Sequence, residues 1–181
     1  MPPWEHCRLP WGDDAIGSRL EGQVVDDTFV PVSRPNTDNP EVVSATLVLD
    51  LFVANGDRHP GQWLITSAGG GQLLRPIDFS RAWFRRWPLP IPPFGPGAPF
   101  PAGENDCSDP FYRMAVRHGV VLEAEAVATW KKLASLPKDA WRGIIRSVPV
   151  GWLQAQQVTD LINWWWSPQW HNRITWIRTQ L

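Results

Sequence analysis

Cysteine is scarce in this 181-residue sequence: Cys7 and Cys107 stand far apart and match no disulfide framework and no metal-ligand spacing. Two reduced thiols of this kind point to a cytoplasmic protein. A surplus of either charge is missing as well, since 17 Lys and Arg face 18 Asp and Glu for a formal net charge of −1. That balance argues against nucleic acid as the main partner, because phosphate binding normally shows as a basic surplus or stripe. Long hydrophobic runs are also lacking. The longest apolar stretch, VVSATLVLDLFVA, is shorter than a membrane span and carries Asp50. The opening MPPWEHCRLPWGDD has neither the basic start nor the apolar centre of a signal peptide. No membrane partner is expected.

Two residue types are abundant instead, with 13 Trp and 19 Pro. Tryptophan needs a large core or an interface, and proline needs ordered loops. The length suits one domain, residues 1–181, with a sizeable core. Residues 1–38 hold many turn formers and read as irregular, with GSRLEGQVV allowing one short strand. A helix start follows in SRPNTDNPEV: Asp38 or Asn39 as N-cap, Pro40 in the first turn, Glu41 at the positive helix end. The run to about Ala54 is apolar on most faces, so a helix there is expected to be buried on most sides. Its β-branched content suits a buried strand equally well.

Further along, Trp63 to Thr66 and Gln72 to Ile77 flank SAGGG and predict a β-hairpin. The three glycines are no phosphate cradle, because no helix opens after them and no Lys follows. Residues 87–103, WPLPIPPFGPGAPFPAG, mix prolines with aromatics and exclude both helix and central strand. They read as a long ordered loop over the core, or as a polyproline segment that docks a partner. The remainder is helical in pattern: DPFYRMAVRHG closed by Gly119, EAEAVATWKKLASL, PKDAWRGIIRSV, LQAQQVTDLINWWW and PQWHNRITWIRTQL.

The densest polar knot is VANGDRHPGQWLI, residues 53–65, set between two apolar segments. It fits an ordinary turn, and it fits a catalytic loop held between a helix and a strand. Asp57 follows the helix, Gln62 comes five residues later, and Asp78 ends the hairpin in PIDF. Two carboxylates and an amide in this order suit phosphoryl transfer, where positioning and metal-held charge do most of the work. As turn residues, Asp57 would cap local N–H groups, His59 would pack in the loop, and Asp78 would sit on the surface. Arg58 is expected to pair with a nearby carboxylate.

The segment DLFVANGDRHPGQWLI…LLRPIDFSRAWF resembles the catalytic loop and metal-binding segment of HipA-like kinases, with the pattern D-x-H-x-x-N, an apolar strand and a hairpin ending in I-D. It is similar, more loosely, to the lipid kinases of the phosphatidylinositol 3/4-kinase type. FYRMA, KKLASLPKDAWRGIIRSVP and HNRITWI extend the resemblance over most of residues 15–181. The resemblance implies a mainly α fold with a small hairpin, the large C-terminal lobe of a protein-kinase-like fold. It matches Asp57 to the catalytic aspartate, His59 to the loop-shaping histidine and Asp78 to a metal-binding aspartate. ATP and Mg2+ are the cofactors it implies, with Gln62 and Asp78 on the metal.

Two departures stand beside these matches. Gln62 occupies the Asn position, and its extra methylene displaces an oxygen for which Mg2+ demands close octahedral geometry. The 56 residues before Asp57 contain no Lys and no glycine-rich loop, so the family's small lobe is expected to be absent. A pseudokinase or protein-binding module is therefore one expectation. The other is an ATP- and Mg2+-dependent phosphotransferase of the Ser/Thr kinase class, completed by a small lobe supplied in trans. A protein partner is expected in either case. Consecutive Trp164, Trp165 and Trp166 would point about 100° apart on a helix, so at least one should leave the core. With Trp170 and Trp176 they form an exposed aromatic patch, or they lie under the Pro-rich loop.

Overall fold

The structure, a computed structural model, describes residues 4–8, 14–18, 22–24, 38–68, 71–77, 108–148 and 153–181. These residues are mainly helical, with two small antiparallel sheets. Strand β1 (Trp4–Arg8) pairs with β2 (Asp14–Ser18), and β3 (Gly22–Val24) lies beside β4 (Trp63–Ala68), which pairs with β5 (Gly71–Pro76). The helices are α1 (Val42–Val53), α2 (Ser108–Arg117), α3 (Glu123–Ala134), α4 (Lys138–Arg146), α5 (Ala155–Trp164) and α6 (Pro168–Gln180). The mainly α architecture with a hairpin is as expected. The stretch 1–38 is less irregular than expected, because three strands fall within it and only β3 lies within GSRLEGQVV. The Pro-rich residues 87–103 lie outside the described residues.

The hairpin forms where aromatic and β-branched residues flank glycine. Its register pairs Trp63 with Pro76 and Ala68 with Gly71. Helix α1 starts later than its sequence suggests. Glu41 takes the N-cap position with no side-chain cap bond. Asn39 does not cap, because both ends of its amide bind the Leu74 backbone of β5, each at 2.8 Å. The Asp38 N–H joins the same strand at Gln72 O, 2.8 Å away, and a side chain on Gly71 would run into the Asp38 carboxylate. The entry to α1 is thus fixed by the sheet.

Later helices end as local chemistry dictates. Gly119, at φ 67°, stops α2. α3 carries Glu123 and Glu125 in its first turn and Lys131 and Lys132 in its last, which complements the helix dipole. Pro137 precedes α4, a capping box of Gln154 and Gln157 opens α5, and Ser167 caps α6 ahead of Pro168.

Helix α1 is the hub of the core. It packs chiefly on α3, with α6 and β5 on further sides, and buries Val43, Leu47, Val48, Leu51 and Phe52. Ser44 is buried without penalty, because its Oγ accepts the Leu122 N–H at the start of α3. Beneath α1, Trp165 stacks on Trp141 with centroids 4.4 Å apart and meets the rings of Phe52 and Trp170 at 5.8 and 5.1 Å. Its Nε1 donates to Leu136 O, and Trp141 Nε1 donates to Leu161 O. Aromatic pairs of this geometry contribute about 0.5–1.5 kcal/mol each beyond area burial.

The tryptophan run separates for a reason other than helical rotation. α5 ends at Trp164, Trp165 follows it, and Trp166 turns the chain at φ 66°. Trp164, Trp165 and Trp170 are buried, Trp176 is partly buried, and Trp166 is 49% exposed. Four of the five tryptophans therefore belong to the core, and a broad exposed patch does not form from them.

Candidate functional site

The polar knot begins where α1 stops. Ala54 adopts the left-handed conformation (φ 51°) without being glycine, and its N–H and that of Asn55 both return to Asp50 O. Such backbone costs of order 1 kcal/mol and persists where surroundings over-determine it. Here the surroundings are the Asp50 carboxylate, wholly buried in the last turns of α1. Its Oδ1 accepts from Asn55 Nδ2 and Arg58 Nη2, each at 3.0 Å. Its Oδ2 accepts from Arg58 Nε at 2.8 Å and from the Tyr112 hydroxyl at 2.6 Å.

Arg58 is equally buried and pairs with a carboxylate, as expected. Burial by itself would lower its pKa, but the Asp50 hydrogen bonds and charge outweigh this and hold it above its usual value. Burial, reinforced by the Asp50 charge, pushes Tyr112 well above the usual phenol range even against the opposing charge of Arg58. Arg58 Nη1 then reaches the main-chain oxygens of Ile77 (2.6 Å) and Gln62 (3.3 Å). One guanidinium thus ties α1, the loop and the end of β5 together.

Two further clamps complete the frame. Ser108, the first residue of α2, is buried; its Oγ accepts the Arg58 N–H and donates to Asn55 O, both at 2.7 Å, while its own N–H meets Gly56 O at 3.3 Å. On the other side, Arg173 of α6 donates to Leu51 O near the end of α1. Burial pushes Arg173 down to about 9, which leaves it charged at neutral pH beside the negative end of the helix.

Held in this frame, Asp57 is half-buried and its N–H faces Asn55 Oδ1 at 3.4 Å. The His59 ring packs against Gly61, where any Cβ would crowd it at 3.1 Å. Gln62 donates Nε2 to Asp57 Oδ2 at 3.3 Å. Its other amide atom, Oε1, is buried, in a residue only 5% exposed, and has no hydrogen-bond partner among the described residues. An acceptor left so costs about 1–3 kcal/mol unless something donates to it or coordinates it. The Gln62 amide oxygen is a hard ligand of the kind Mg2+ takes, and the Asp57 carboxylate lies at the other end of the same amide. No group of three or more His, Cys, Asp or Glu placed to hold a metal occurs among the described residues.

The structure brings Asp57, His59 and Gln62 together on one loop. Asp78 lies outside the described residues, but its neighbour Ile77 donates its N–H to Gln62 O at 2.9 Å. Asp50, Asn55, Ser108 and Tyr112 were not singled out from the sequence. For Asp50 a signal exists: a carboxylate inside a helix otherwise apolar on all sides must be paired when buried. Ser108 and Tyr112, 50 and 62 residues from their partners, carry no local signal. The chain matches no protein-family model, no curated protein and no solved structure.

Proposed function

We propose that this chain is a kinase-like large lobe that retains a loop for a magnesium-bound phosphate group and works as a pseudokinase, a protein-binding module. The observation that supports this reading is the amide of Gln62, whose nitrogen holds the Asp57 carboxylate while its buried oxygen is left for a ligand. Asp57 is suited to accept or orient the proton of a hydroxyl, and Gln62 with Asp78 would hold the metal. Bound Mg2+ would supply charge neutralisation to phosphate oxygens.

A second reading is a Ser/Thr-class phosphotransferase completed by a small lobe supplied in trans. It shares the Gln62 amide with the first reading and adds the half-buried Asp57 carboxylate, which stands beside that amide as a group able to accept a hydroxyl proton. Calorimetry with ATP, with and without Mg2+, on the wild type and Asp78→Ala tests both. Weak Mg2+-dependent binding that disappears in the variant, without phosphate transfer, is the expected result. Absence of heat at millimolar nucleotide would sink the metal-holding loop, and phosphate transfer by the chain alone would sink the pseudokinase.

A further inference from the structure

We infer that Ser108 is a positioning residue for the Asp57 loop, acting on the loop from the start of α2. The inference rests on the function proposed above. One hydroxyl can donate once and accept twice, and Ser108 uses both capacities on the same loop. It accepts the Arg58 N–H and donates to Asn55 O, so it grips the chain on both flanks of Asp57. The Ser108 N–H adds a third bond at Gly56 O. Asn55, held between Asp50 and Ser108, in turn presents its Oδ1 to the Asp57 N–H.

The grip is distinct from the buried ion pair. Asp50 and the main-chain oxygens of Gln62 and Ile77 fix the Arg58 side chain, whereas Ser108 fixes the Arg58 main chain next to residue 57. The Asp57 carboxylate is reached by Gln62 at 3.3 Å, a long bond that a small rotation of the loop would break. Losing it would free the Gln62 amide, and its oxygen would no longer be aimed by Asp57. Ser108 therefore acts on cation and phosphate binding through two other residues and touches neither ligand.

The test uses the full chain with Mg2+ and ATP as probes, in Ser108→Ala, Ser108→Thr and a remote core control, Ile145→Val in α4. Affinity comes from calorimetry, and the Arg58 N–H is followed by hydrogen exchange. The expected result for Ser108→Ala is at least a tenfold weaker Mg2+-dependent affinity with faster Arg58 exchange, both restored by Thr. Ile145→Val should lower the melting temperature yet leave affinity within twofold. Wild-type affinity in Ser108→Ala, or an equal loss in Ile145→Val, overturns the inference and leaves the proposed function standing. No Mg2+-dependent heat from the wild type overturns the proposed function. Arg58 exchange then decides the matter by itself: unchanged in Ser108→Ala it overturns the grip, accelerated and restored by Thr it supports it. If Ser108→Ala does not fold, Ser108→Cys takes its place under the same criteria, keeping the volume with a weaker donor.

Discussion

Tyr112 of α2 donates its hydroxyl to Asp50 Oδ2 of α1 at 2.6 Å, across 62 residues of sequence. This bond makes the Tyr112 proton part of the fold. An unfolded tyrosine loses its proton near 10.0, whereas the buried one beside Asp50 keeps it well above that value. Between those limits the folded chain binds one proton more than the unfolded chain, so stability falls as pH rises. The contribution is complete below pH 10 and disappears as pH climbs through the folded pKa. Tyr112→Phe should lose about 1–2 kcal/mol at neutral pH and show a shallower alkaline decline, measured by urea unfolding from pH 7 to 11. An unchanged alkaline slope would remove Tyr112 as its source.

The Asp50–Arg58 pair gives a second expectation, because both side chains are fully buried. Removing one partner strands a charge, so Arg58→Met or Asp50→Asn alone should cost about 3–5 kcal/mol. At roughly 2–4 °C per kcal/mol for a chain of this size, that is a fall of about 10 °C in melting temperature. The double variant should cost less than the sum of the two. Strict additivity in the double-mutant cycle would show that the two side chains do not act as a pair.

How much of this was legible in sequence depends on range. The helices from Ser108 onward and the hairpin are set by local devices: Gly119, Pro137, Ser167 and the strand-forming residues around Gly69 and Gly70. The Asp57, His59 and Gln62 loop was legible as a polar knot between apolar segments. What holds the loop was not legible, since Ser108 and Tyr112 act from an element far along the chain. The N-cap of α1 departs from its local sequence signal for a similar reason. Asn39 is a good cap by type, but the Leu74 backbone offers its amide two bonds, and a cap would use one.

Trp165 and Trp166 are neighbours with opposite expectations. Trp165 is 1% exposed among Trp141, Phe52 and Trp170, so Trp165→Ala should cost about 3–5 kcal/mol through the cavity it leaves. Trp166 is 49% exposed, and Trp166→Ala should fall within about 0.5 kcal/mol of wild type. Thermal unfolding of both variants checks the pair. A large loss at Trp166 would mean that the residue packs more tightly than its exposure indicates.

Gln62 is where stability and the proposed function part company. Gln62→Leu removes a bare buried oxygen together with a long bond to Asp57, two changes of opposite sign. Its net effect on stability should lie within about 1 kcal/mol of wild type. The effect on Mg2+-dependent ATP binding should be complete loss, because the amide oxygen is gone. Gln62→Asn keeps the amide on a side chain one methylene shorter. It should lengthen or break the bond to Asp57, so that its oxygen is no longer aimed from that carboxylate and Mg2+-dependent binding weakens. Weakened binding in Gln62→Asn, with Gln62→Leu stable and silent, would separate the ligand role of the amide from its structural one. Equal binding in all three proteins would show that the amide oxygen holds no cation.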